Sequence, residues 1–223
     1  NIIEYRQRMF EDQFSVFGQY PLSRQLRFEA GATISRYSFR VDSINTVYIN
    51  GIPRFRDRNE ISKREPYYVG RGHIAYVGDN STNGITGPLR GYRYRFQAER
   101  MFARYNLYAT LLDFRKYFFK KPVSFGVRLL NYARYGEDED ELYPIYAGDY
   151  YFVRGYTYNS FDSRSAGFAS SQLNPTNLLG SKLGVFNAEV RLPLSGPERL
   201  TLFKSKYLYT TLIGFFDGGF AVD

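Results

Sequence analysis

The chain has no cysteine and no tryptophan, and only one histidine among its 223 residues. Without cysteine there is no disulfide framework, no thiolate nucleophile and no cysteine-based metal site. One histidine, His73, cannot build a histidine metal site or a Ser-His-Asp triad, so most enzyme readings lose their ground. Long apolar runs are missing too. None approaches the roughly 20 residues a transmembrane helix needs, and mean hydropathy is −0.43. A helical membrane protein is therefore excluded. The glycine-containing stretches Gly78 to Gly84 and Gly87 to Gly91 lack the strand-loop-helix context of a phosphate-binding loop, so no nucleotide and no other cofactor is expected.

Aromatic side chains are plentiful: 19% of the chain, supplied by 22 Tyr and 20 Phe. With a middling hydropathy this composition suits either an aromatic-rich soluble β protein or a membrane β-barrel, whose lipid-facing and lumen-facing residues average out. The formal charge of +8 is compatible with nucleic acid, anionic headgroups or an arginine-lined pore. The arginines are spread along the chain and form no basic arm, so nucleic acid is not an expected partner. The chain starts at Asn1, not at Met, and ends at Asp223 within a strand-like pattern. It is expected to be a fragment of one β-barrel domain covering residues 1–223.

Alternation at period two recurs in segments of about ten residues, the length of a tilted strand crossing a bilayer. From Glu11 to Tyr20, Phe14, Val16, Gly18 and Tyr20 oppose Glu11, Gln13, Ser15 and Gln19. Leu26, Phe28, Ala30, Ala32 and Ile34 then oppose Arg27, Glu29, Gly31, Thr33 and Ser35. Residues from about Asp42 to Tyr68 are polar and contain Pro53 and Pro66, so they read as a long loop. Further strands are expected over Arg71 to Gly78, Arg93 to Phe102, Tyr105 to Phe119 and Val123 to Tyr135, then Leu183 to Leu194 and Tyr207 to Asp223. That makes about eight antiparallel strands. Gly136 to Gly180 reads as a long loop opened by the acidic run Glu137 to Glu141, a solvated segment or a divalent-cation site. Strand length, and aromatics near segment ends at Tyr20, Tyr117, Phe118, Phe119, Tyr132, Tyr135 and Tyr207, favour a transmembrane barrel over a soluble sandwich.

Three short pieces carry a family resemblance. Val153-Arg154-Gly155-Tyr156, inside the long loop, resembles the Val-Arg-Gly-aromatic tip of the inward-folded loop in outer-membrane barrels of the BamA type. That superfamily includes two-partner-secretion transporters and bacterial surface antigens. Phe215-Phe216-Asp217-Gly218-Gly219 resembles the family's Phe-x-Asp-x-Gly strand, and Asn187-Ala188-Glu189 matches its inward-facing acidic position. Gly87-Pro88-Leu89-Arg90-Gly91-Tyr92 and Leu142-Tyr143-Pro144-Ile145-Tyr146-Ala147-Gly148 also resemble surface-antigen barrels, including ones attached to a β-propeller of the TolB kind. The resemblance runs from Gly87 to Asp223.

The resemblance implies an all-β fold, an antiparallel transmembrane barrel of about sixteen strands, with the loop of residues 136–180 folded into its lumen. Arg154 would pair with Asp217 and with Glu189. Val153, Gly155, Tyr156, Phe215 and Gly219 would complete the loop anchor, with Gly155 allowing a tight turn. The implied role is non-catalytic: assembly or insertion of outer-membrane proteins, or polypeptide translocation, in the bacterial outer membrane. Implied partners are outer-membrane lipid, client polypeptides and other envelope proteins. A scaffold barrel serving an attached domain or partner complex, and a passive porin, are the alternatives. Arg93, Arg95, Arg128 and Arg191 are either pore-lining cations or members of paired lumen charges, and His73 is expected to be one more polar lumen residue.

Overall fold

The computed structural model describes residues 2–49, 52–62, 64–84, 86–155 and 178–223, apart from the side chains of residues 53 and 62. The strands are β1 (Ile2–Pro21), β2 (Leu26–Ile49), β3 (Ile52–Ser62), β4 (Tyr67–Asp79), β5 (Thr82–Asn83), β6 (Pro88–Ala103) and β7 (Leu107–Lys120). They continue as β8 (Val123–Gly136), β9 (Ile145–Tyr146), β10 (Leu179–Gly180), β11 (Lys182–Gly196), β12 (Phe203–Lys204) and β13 (Thr210–Val222). The described residues contain no α-helix, and so no helix long and apolar enough to cross a membrane. The protein is all-β and its long strands pair antiparallel.

One sheet holds eleven of the strands, and β9 and β10 form a separate pair. Its path runs β1, β2, β4, β6, β7, β8, β11, with β13 on the far side of β11. Eight long strands therefore lie side by side, as the alternation predicts. Among the described residues β1 pairs only with β2, and β13 only with β11, so the sheet is open at both edges.

The expected loop from Asp42 to Tyr68 is not a loop. The second strand continues to Ile49, and β3, from Ile52, pairs antiparallel back along residues 41–49 before β4 takes over at Tyr67 against Tyr37. Beyond Tyr37 the sheet narrows to a ribbon of β1, β2 and β3. Alternation fails there because the buried parity of β2 carries Asp42 beside Ile44, so polarity no longer marks parity. Among the described residues β3 pairs only with β2, so Pro53 is tolerated, and Pro66 lies in the gap between β3 and β4.

Parity separates two faces. One carries Phe28 on β2, Ile74 on β4, Phe96 on β6, Leu129 on β8, Phe186 on β11 and Phe216 on β13, all left exposed. The other carries Glu29, Arg95, Asp113, Arg128, Glu189 and Asp217. The sheet curls toward this polar face. At its lower end an added Cβ on Gly87, just before β6, would run into the Arg191 guanidinium on β11. Tyr117 and Tyr132, expected at an interfacial girdle, lie on the polar parity instead.

The stretch 137–155 folds back over the polar face. Ala147 packs in a core with Leu130, Leu183, Val185 and Ala221, and Ile145, Phe152 and Leu178 close around it. Each fully buried aliphatic side chain of this kind contributes about 1.5–3 kcal/mol. This patch supplies the adhesion of the loop.

Candidate functional site

The tip of the described loop meets the sheet where β11 and β13 face each other. Register places Asn187 opposite Asp217 and Glu189 opposite Phe215, all with side chains on the polar face. Arg154 enters from above. Its Nε and Nη2 donate to Oδ2 and Oδ1 of Asp217 at 2.7 and 2.8 Å, a two-pronged contact matched to the carboxylate plane. The Arg154 backbone N–H donates to the same Oδ2 at 3.1 Å, and Asn187 Nδ2 donates to Oδ1 at 2.9 Å. With four donors the carboxylate has its acceptor sites filled, which matters because the Asp217 side chain is only 2% exposed.

The third guanidinium nitrogen, Nη1, donates to Glu189 Oε2 at 2.6 Å, while Arg191 donates to the other oxygen of Glu189. The Arg154 guanidinium also stacks over the Phe215 ring, 4.1 Å from its centroid. Asn187 Nδ2 reaches the Phe152 carbonyl at 2.9 Å, so one amide touches both the loop backbone and the anchoring carboxylate. Val153 is buried and packs on Gly219, where an added Cβ would sit 3.1 Å from its Cγ2. Gly155 follows with φ +91°, a conformation costly for residues with a side chain. Of the residues the resemblance points to, Val153, Arg154, Gly155, Glu189, Phe215, Asp217 and Gly219 meet at this point; Tyr156 lies outside the described residues.

A second cluster adjoins the first. Arg115 and Arg128 sit directly opposite each other on β7 and β8, a pairing of like charges that costs energy unless neutralised. Asp113 bridges the two, accepting from Arg115 at 3.0 and 2.7 Å and from Arg128 at 3.2 and 3.1 Å. Arg128 also lies over the Tyr151 ring and donates to its carbonyl, which ties the cluster to the loop. Further along, Arg95 reaches past the short side chain of Ala75 on β4 to Glu29 on β2, at 2.7 Å, and Arg93 pairs with Asp79 at 2.8 Å. The four arginines that could have lined a pore are thus each paired.

His73 lies over Gly31, and no group of metal-binding side chains occurs among the described residues. The acidic run 137–141 binds its neighbours: Asp138 accepts from the Asn106 backbone, Glu139 pairs with Lys182 and Glu141 with Arg104. Sequence reasoning missed the structural part of Asn187, and it named Arg128 as a paired lumen charge without its partner Asp113 or the neighbouring Arg115. Asn187 was visible only as the neighbour of an acidic position. Asp113 needs the register of β7 against β8, which no local pattern supplies.

No protein-family profile matches the chain, and no curated protein matches it.

Proposed function

We propose that this chain is part of a transmembrane β-barrel of the BamA type in the bacterial outer membrane. It acts without covalent chemistry in the assembly or insertion of outer-membrane proteins, or in polypeptide translocation. The observation that carries this reading is the fork of Arg154 on Asp217. It fastens a loop to the polar side of a curved antiparallel sheet whose other side is apolar and uncovered. Apolar patches on soluble monomers rarely exceed a few hundred Å², and a band of Phe, Ile and Leu spanning seven neighbouring strands suits hydrocarbon better than water. The two open edges are where further strands of the barrel would join.

The dense pairing of arginines on the polar side favours a second reading, a plugged scaffold barrel serving an attached domain or a partner complex. It speaks against an open passive pore, because the loop these pairs hold lies across the polar face.

Two measurements test the proposal. The native chain has no cysteine, so single cysteines at Phe28, Ile74, Phe96 and Phe186 can carry spin labels in nanodiscs. High collision rates with oxygen and low rates with a water-soluble relaxant are expected at all four; the reverse would remove the membrane reading. Client insertion into vesicles by the intact protein should then fall in Arg154→Ala and Asp217→Ala alike. Undiminished insertion with a released loop would leave the scaffold reading standing.

A further inference from the structure

A cavity of about 310 Å³ opens on the polar face between β7, β8, β11 and the loop, within the size range of small-ligand sites. Its cause is a missing side chain. Gly126 on β8 lies between Tyr117 on β7 and Glu189 on β11, so bulk stands on either flank and none in the middle. Guanidinium groups surround this floor: Arg115 and Arg128 on one side, Arg191 and Arg154 on the other.

Charge is unevenly matched around it. Asp113 serves both Arg115 and Arg128, and Glu189 serves both Arg154 and Arg191, with Asp217 completing the set. Four cations thus share three carboxylates among the described residues. Arg191 engages Glu189 through Nε, and its two terminal nitrogens have no partner among the described residues. Arg191 stands on one side of the open space and Arg115 on the other, each a directional donor.

We propose that this cavity binds a phosphate group, carried as a phosphomonoester on a small polar skeleton. A tetrahedral oxyanion presents oxygens in several directions and can meet guanidinium groups from both sides of Gly126 at once. A planar carboxylate fills one fork and leaves the opposite side unmet. The rings of Tyr117, Tyr150 and Tyr151 line the same cavity and offer flat walls to the carbon skeleton. Sheet and loop build the site by themselves, so it stands apart from the barrel reading, and phosphate binding and bilayer insertion are measured separately.

The test is titration calorimetry of the intact protein in detergent with inorganic phosphate and with glycerol 3-phosphate. Nanodiscs containing or lacking phosphatidic acid form the lipid arm. Saturable binding that weakens with added salt is expected. Gly126→Leu should raise the dissociation constant by about tenfold or more by filling the floor. An added Cβ there meets Tyr117 at 3.4 Å, an ordinary contact, so the fold should tolerate it. Arg115→Gln should weaken binding similarly, and Arg6→Gln, far away on the ribbon, should not. Binding of the soluble probes assigns a free phosphate ligand; binding in the lipid arm alone assigns a headgroup. Absence of saturable binding to every probe, or binding indifferent to both Gly126→Leu and Arg115→Gln, overturns the proposal.

Discussion

Arg154 divides one guanidinium between carboxylates on two adjacent strands, and this division explains why lysine could not replace it. An ammonium is a point charge and cannot keep Asp217 and Glu189 engaged in one plane. Removing either end leaves a charged group facing a partly dry surface. Such breaks in fully buried pairs cost more, but the Arg154 side chain is 36% exposed, and screening reduces the expected loss to about 2 kcal/mol. Arg154→Ala and Asp217→Ala should each speed proteolysis of the loop to a similar degree, and the double variant should add little. Fully additive effects would refute the pair as a unit. Arg154→Lys should fall between. The triad of Arg154, Glu189 and Asp217 was expected only as what the family resemblance of three short motifs implies; composition and periodicity did not point to it. The part of Asn187 was not expected, because it comes from pairing with Asp217 across strands and from reaching the Phe152 carbonyl. Both depend on the folded path of the loop.

Among the elements, the ribbon of β1, β2 and β3 departs furthest from the sequence pattern. Strands whose two faces meet different surroundings alternate and were legible: β8 almost to the residue, expected over Val123 to Tyr135 and observed over Val123–Gly136, while β4 and β6 were expected from Arg71 and Arg93 and begin earlier, at Tyr67 and Pro88. In the ribbon the buried parity mixes Asp42 with Ile44, and its order comes from cross-strand ion pairs that a one-dimensional pattern cannot display. Asp42 is their centre. Arg58 donates to it at 2.6 Å and Arg40 at 2.7 Å, with Arg8 at 3.6 Å. This point lies past the end of β4, outside the part of the sheet that would face a bilayer. The hydrogen bond from Arg58, followed by that from Arg40, holds the Asp42 carboxyl down at about 2, against an ordinary 3.8. A carboxylate lowered in the folded state supports folding above its ordinary value and loses that support as pH falls through the folded value. The ribbon is therefore expected to keep its amide protection at pH 5 and to lose it between about pH 4 and pH 2. Hydrogen exchange of the residue 38–49 amides reads this directly. Asp42→Asn should abolish the step, and an unchanged step in that variant would assign it to another group.

At the scale of the whole molecule the question is what covers the apolar face. A second protein sheet would give a core of similar polarity along the full strand length, whereas a bilayer is driest at its middle and wet at both interfaces. The two cases separate when one charge is moved along one strand. Ile74 lies near the middle of β4 and Tyr68 near its upper end, on the same face, 66% and 52% exposed. In water, arginine at either exposed position should change stability by no more than about 0.5 kcal/mol. In a bilayer, Ile74→Arg should cost about 2–4 kcal/mol, and Tyr68→Arg about 0–1 kcal/mol beyond the packing of the lost ring. Reversible urea unfolding in phospholipid vesicles, compared across the two variants, gives the gradient. A steep fall from Ile74 to Tyr68 means that hydrocarbon is the covering layer, and it makes the polar face with its anchored loop the interior of the barrel. Equal costs at the two positions would mean that protein covers the face, and the open edges at β1 and β13 would then belong to a sandwich.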